Sequence, residues 1–382
     1  MDYTFLSPVS DEVLHYVEYL TPQHLGAKIQ LHTSYAFPEI SDLKVALVGV
    51  SETRASHQQV EYKLDAVRKS LYSLFPGNWN LNFADLGDIK PGDTLEDTYF
   101  ALQQVVKSLL KQNCLPIIIG GTQDLTYPMY RAYDGLEQMV NLVAIDSQFD
   151  FGKEKDALSP QSYLTKIIVD EPNNLFNYSN IGFQTYYNAQ EEIDLIEKLF
   201  FDAYRLGDVS NTISLAEPVF RDADCVSLDL TAVKSADSGN FNTFSPNGFT
   251  GKEICALARY AGISDKVSSF GIFNQEGAAQ EGVLIAQVIW YFIEGMQHRS
   301  NEYPFGSKDQ YLKYIVPLEG EELVFYKSNK TDRWWIEIPH LTTSNTKLKK
   351  HTLLPCSHEE YLAACAHEIP ERWWKAQRKN LL

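Results

Sequence analysis

The sequence predicts a three-layer α/β/α sandwich on a mostly parallel sheet, with a C-terminal appendage of short strands and a helix. Two observations carry that expectation. Between about residues 43 and 297, short apolar runs alternate with amphipathic segments of helical spacing. The runs are continuous in Ile, Val and Leu, as in parallel strands covered by helices on both faces. Past residue 300 this alternation stops, and strand-like segments succeed one another directly.

Taken in chain order, the first 40 residues are expected to dock as a helix and an extended arm. KVALVGV (44–50) reads as a strand and VEYKLDAVRKSLYSLF (60–75) as a helix. LNFADLGD (81–88) precedes a long helix over 94–113; then come LPIIIGG (115–121), a further helix and NLVAID (141–146). The pattern resumes with SNIGFQ (179–184), a helix through 191–207, CVSLDL (225–230), a helix at 253–262 and VSSFGIF (267–273). It closes on VLIAQVIWYFIEGM (283–296), which reads as a buried helix.

The expected division is an arm over 1–40, an α/β domain over 41–299 and an appendage over 300–382. In the appendage, Ser357 with Glu360 forms a helix-start signal, and Pro370 should break the terminal helix. Trp334, Trp335, Trp373 and Trp374 are expected to hold the appendage down through buried aromatic area. Lys347, Lys349 and Lys350 read as a solvated turn. Cys356, His358, Cys365 and His367 have zinc-like identities, but residues two apart on a helix point to different sides, which disfavours a zinc site.

Composition excludes several classes of function. The chain has 382 residues, 44% of them hydrophobic and 22% charged, the profile of an ordinary globular protein. A formal net charge of −17 argues against nucleic acid or an anionic membrane as partner, since both would be repelled. No apolar run approaches the roughly 20 residues of a membrane-spanning helix. The N-terminus shows no basic and then apolar leader, so a cytoplasmic location is expected. Five scattered cysteines are then expected to be reduced.

In open parallel sheets, ligands bind beyond the carboxyl ends of the strands. Three polar constellations fall there: IIIGGTQDLTYP (117–128), LVAIDSQFDFG (142–152) and VSLDLTAVKSAD (226–237). Residues at i, i+2 and i+4 of an extended chain share a face, so Asp146, Gln148 and Asp150 could converge with Asp229 over one cleft. Read alone, LVAIDSQFD is better explained as a strand ending in a solvated polar loop.

Together, GGTQ (120–123), DSQFD (146–150) and SLDLTAVK (227–234) resemble, in order and spacing, the motifs of the arginase/agmatinase/formimidoylglutamase family, the ureohydrolases. The resemblance covers about residues 40–297 and is nearest to the formimidoylglutamase-like branch. It implies an arginase-like fold and a family activity of metal-dependent hydrolysis of amidines or guanidines. It also implies a site of two manganese ions bridged by the positions of Asp146 and Asp229. Asp150 is retained as a ligand of the first metal, where Gln123 stands in place of His. At the second metal, Gln148 replaces His and Thr231 replaces Asp. Ser159 matches the substrate loop, and Asn274, with Glu276 nearby, falls where the family has a substrate-orienting Glu. Lys234 replaces a further aspartate.

Two metal ions lower the pKa of a shared water enough to supply hydroxide near neutral pH, and imidazole suits such ions better than an amide oxygen does. There is no histidine between His57 and His298. A manganese pair is therefore not expected. Gln123, Asp146, Asp150 and Asp229 leave open one hard cation such as Mg²⁺ or Ca²⁺. Without a cation the three aspartates are like charges needing relief, from Lys234 or from protonation. The sequence thus favours a pseudoenzyme that binds a small molecule or a protein partner. The alternatives are a divergent hydrolase of a formimidoylglutamate-like amidine and a structural assembly component. The resemblance also suggests a homo-oligomer.

Overall fold

A computed structural model describes residues 3–56, 64–80, 82–136, 138–152, 157–241, 244–302, 304, 308–318, 320–338 and 353–379. Its main sheet has ten strands: β1 (Leu6–Ser7), β2 (Gln30–Leu31), β3 (Val45–Val50), β4 (Phe83–Ile89), β5 (Leu115–Ile119), β6 (Val140–Ile145), β7 (Leu175–Phe183), β8 (Asp202–Arg205), β9 (Cys225–Asp229) and β10 (Ser269–Phe273). The order across the sheet is β1-β4-β3-β5-β10-β9-β6-β7-β8, with β2 also paired to β4. Only β1 runs antiparallel to its neighbour.

The apolar runs explain the layering. Every residue of β3 and β6 is buried. Alternate β3 side chains enter different cores: Val45 and Leu47 on one face, Ala46, Val48 and Val50 on the other. The first face packs under helices Asp65–Tyr72, Gly251–Ile263 and Ala279–Gln297. The second packs under Leu95–Lys111, Thr126–Arg131 and Tyr163–Val169. The arm contributes the helix Asp11–Glu18 and adds β1 and β2 beside β4. Residues 60–63 of the helix expected at 60–75 lie outside the described residues.

One element departs from expectation. The segment 191–207 is not a single helix: the helix Gln190–Lys198 stops, Phe200 takes φ 56°, and β8 comes next as an edge strand beside β7. Apolar spacing runs on through Phe200, Phe201 and Tyr204, and no Gly or Pro announces the reversal. Burial of Phe201 in the core below β7 holds the chain in its new direction.

After residue 300 comes an antiparallel meander: β11 (Tyr311–Leu318), β12 (Glu321–Ser328), β13 (Trp334–Glu337) and β14 (Leu353–Cys356). Trp334, Trp335 and Trp373 are buried, whereas Trp374 is 39% exposed and meets Phe200 edge-on. Arg221, on helix Glu217–Asp222 of the main layer, joins the two sheets. It donates to the carbonyls of Trp334 and Cys356, both at 2.9 Å, and its guanidinium lies 4.7 Å from the Trp335 ring centre. Ser357 and Glu360 cap each other at the start of His358–Cys365, and Pro370 separates it from the last helix, Glu371–Lys379. Lys375 of that helix donates to the Phe201 carbonyl at 3.0 Å, tying it beside β8. His358 stacks on Trp334, and the zinc-like residues form no metal group. Lys347, Lys349 and Lys350 lie outside the described residues. Among the described residues no helix is long and apolar enough to cross a membrane.

Candidate functional site

The four central strands β5, β10, β9 and β6 are consecutive neighbours, and their carboxyl ends are level: Ile272 pairs with Ile119, Phe273 with Asp229 and Ile145 with Leu228. Gln123, Asn274, Asp229 and Asp146 are therefore delivered to one place. After β5 the chain turns through Gly120 and Gly121, with φ of 98° and 71°. A Cβ on Gly121 would sit 2.1 Å from Leu125 Cδ1 and 2.8 Å from the Glu52 carbonyl oxygen, so only glycine fits. That turn aims Gln123 inward.

The three aspartates are buried and braced by neutral donors. Gln123 Nε2 donates to Asp146 Oδ2 at 2.6 Å, and the Gln148 amide N–H to Asp146 Oδ1 at 2.8 Å. Asn274 Nδ2 donates to Asp229 Oδ2 at 2.9 Å, and the Thr231 amide N–H to Asp229 Oδ1 at 2.7 Å. Asn274, at φ 57°, closes the frame by accepting from the Gln123 amide N–H at 3.1 Å. It is a brace between two strand ends.

The loop after β6 is not extended. Asp150 takes φ 59°, which folds its carboxyl back onto Asp146, while Gln148 turns out to solvent. The expected convergence of Asp146 with Asp150 thus arises from a turn, and Gln148 does not join them. Asn180 and Asn188 hold this turn by donating to the carbonyls of Gln148 (2.7 Å) and Ser147 (3.0 Å). Tyr163 lies beneath, its hydroxyl 3.3 Å from Gln123 Nε2. Nothing in the sequence near Asn180, Asn188 or Tyr163 marks them as site residues.

Burial, and then the Asp229 charge, push the Asp146 carboxyl up to about 8. Asp150 is held well above the carboxylate range, by burial first and then by the Asp146 charge. Burial raises Asp229 to about 6. Lys234 does not relieve the cluster: its ammonium pairs with Asp237 at 3.7 Å. The hydrogen bonds from Gln123, Asn274 and the Gln148 and Thr231 amides are the contacts that brace it.

Above the cluster opens a cleft of about 410 Å³ bordered by Asp150, Asp229 and Glu276, among others. Ser159 does not border it; its hydroxyl and amide bond Ser162 Oγ at 2.9 and 3.0 Å, while Pro160 and Gln161 face the opening. The Glu276 amide N–H donates to the Glu281 carboxylate, which starts the helix Ala279–Gln297.

The family model described as the arginase family matches residues 44–276, more than half of the chain. This chain belongs to the arginase family. It is 25% identical over 260 residues to the formimidoylglutamase of Geobacillus sp. (strain WCH70), covering 64% of this chain and 77% of that protein. Its fold is similar to Trypanosoma cruzi formiminoglutamase, solved with Mn²⁺, at a TM-score of 0.63 and 17% identity, covering 69% of this chain and 97% of that one. Formimidoylglutamase from Bacillus subtilis superposes at a TM-score of 0.61 and 17% identity, covering 71% and 91%. The arginase-like fold and its mostly parallel sheet are as expected, and the formimidoylglutamase-like character holds.

The donor set does not fit the family's manganese pair. By the motif resemblance, Gln123 and Gln148 stand where the family has imidazoles, and Thr231 where it has a carboxylate. The Gln123 amide turns its N–H₂, not a lone pair, toward Asp146. Among the described residues, no three His, Cys, Asp or Glu are placed to hold a metal ion.

Proposed function

We propose that this arginase-family chain is a non-hydrolytic, ligand-binding protein, its two-metal centre replaced by a metal-free cluster of hydrogen-bonded carboxylic acids. The observation that carries this reading is the direction of the Gln123 side chain. It occupies the position of a lost ligand and donates to Asp146, one of the two carboxylates that would bridge two metals. A neutral donor there stabilises a carboxylate as a cation does, but it cannot ionise a water.

The cleft supports the same reading. Among the described residues bordering it there is no Lys, Arg or His. A glutamate-derived substrate carries two carboxylates and would meet a described border whose ionisable groups are Asp150, Asp229 and Glu276, which is repulsive rather than selective. The occupant proposed is a small molecule held by hydrogen bonds.

The test combines metal analysis of protein produced in manganese-supplemented medium with hydrolysis assays on N-formimidoylglutamate, arginine and agmatine. The expected result is substoichiometric manganese and no turnover above background. About two manganese ions per chain, together with hydrolysis of any of the three, would overturn the proposal.

A further inference from the structure

We propose that the cleft above the aspartate cluster binds a neutral polyhydroxylated ligand, a sugar or polyol of mono- to disaccharide size. The inference deepens the non-hydrolytic reading and rests on it. Among the described residues, six amide side chains border the cleft: Gln123, Gln148, Gln161, Asn240, Asn274 and Gln275. No cationic side chain stands among its described neighbours, and that border offers hydrogen bonds rather than counter-charge.

Gln275, 7% exposed, has a buried Nε2 donor without a partner at this site. A buried polar group without a partner is unfavourable by about 1–3 kcal/mol, so it favours a ligand that offers it an acceptor. An organic cation would set its positive charge against the Gln275 N–H₂. A hydroxyl both donates and accepts, and can meet that N–H₂ and the carboxyls on the same border. Vicinal hydroxyls match amide and carboxyl edges, which present two hydrogen-bonding atoms side by side.

The mouth adds a flat apolar element. Phe244, which borders the cleft, is 63% exposed and stacks on Phe241 at 6.5 Å with an interplanar angle of 16°. Tyr187, also on the border, meets Tyr186 at 4.6 Å. Such rings cover the C–H face of a pyranose while the amides bind its edge. The volume, about 410 Å³, lies in the range of small-ligand sites.

The experiment is titration calorimetry of the full chain against glucose, galactose, ribose, sorbitol and maltose, with butylamine and glutamate as charged probes. At least one of the five neutral compounds should bind with 1:1 stoichiometry, and neither charged probe should bind. Gln275→Leu should weaken that binding about 10-fold, the loss of one hydrogen bond, and Phe244→Ala should weaken it without changing the melting temperature, because Phe244 is exposed. Binding of butylamine alone, or of none of the neutral compounds, would overturn the inference. Either result would leave the metal and hydrolysis assays, which test the non-hydrolytic reading, standing independently.

Discussion

Replacing Asp150 by Asn separates a metal-free cluster from a metal site, because the two predict opposite signs. Asp150 sits at φ 59°, a conformation Asn tolerates better than almost any other non-glycine residue. The Asn amide can donate where the protonated carboxyl does, but it does not titrate. In the native protein, burial and neighbouring charge hold Asp146 at about 8 against an ordinary 3.8, and Asp150 is raised as well. Below about pH 4 the folded and unfolded chains carry the same protons on these groups. As pH rises the unfolded chain releases them first, so stability falls from about pH 4 through about pH 8. At about 1.4 kcal/mol per pH unit, the contribution of Asp146 alone spans roughly 6 kcal/mol. Asp150→Asn removes the titration of Asp150 and eases that of Asp146. We expect a gain of roughly 2–4 kcal/mol at pH 8 that disappears by about pH 4. Urea denaturation across that pH range, with an unchanged m-value, measures it. A variant less stable than the parent at pH 8 would refute the reasoning, because that is the signature of a lost cation ligand.

Restoring Gln123→His, Gln148→His and Thr231→Asp together should recover manganese binding, read by metal analysis and anomalous scattering, since the strand ends that carry these positions are level. If the triple variant folds and takes up no manganese, the loop after β6 has moved too far. Arg221→Met should destabilise the chain by roughly 3–5 kcal/mol, because the carbonyls of Trp334 and Cys356 each lose a buried donor; protease cleavage within 300–382 should also accelerate. A loss below about 1 kcal/mol in urea would mean the meander is held by apolar packing alone. Gly121→Ala should lower stability by roughly 2–4 kcal/mol, given the φ of 71° and the contact at 2.1 Å. A neutral result by thermal melting would show that the turn can relax.

Much of the fold and the site was legible in the sequence, and the limits are physical. Buried parallel strands must be apolar along their whole length, so their ends can be read where the run stops. Gln123, Asp146 and Asp229 accordingly stand at the ends of neighbouring strands, with Gln123 bonded to Asp146. The loop beyond a strand end is under no such constraint. Spacing at i, i+2 and i+4 suggested an extended Asp146–Asp150 segment, but a left-handed residue bends it and turns Gln148 outward. Asn274 read as a stand-in for a substrate-binding Glu because only its chain position was visible; its role as a brace depends on β10 lying between β5 and β9. Lys234 was close in sequence to Asp229 yet pairs with Asp237, three residues on. The edge strand β8 was hidden because its four residues continue the apolar spacing of the preceding helix.

The last helix gives the edge strand of the main sheet an unexpected anchor. The terminal segment, far from β8 in sequence, ties itself through Lys375 to the Phe201 carbonyl and the Asp202 carboxylate, where that strand begins. At the other margin β1 is only two residues long and antiparallel, a poor template for continuation. Trimming the chain after Pro370 would therefore do more than shorten it. It would take away the anchor at the start of β8, an edge strand whose unpaired side is the kind that other chains can join.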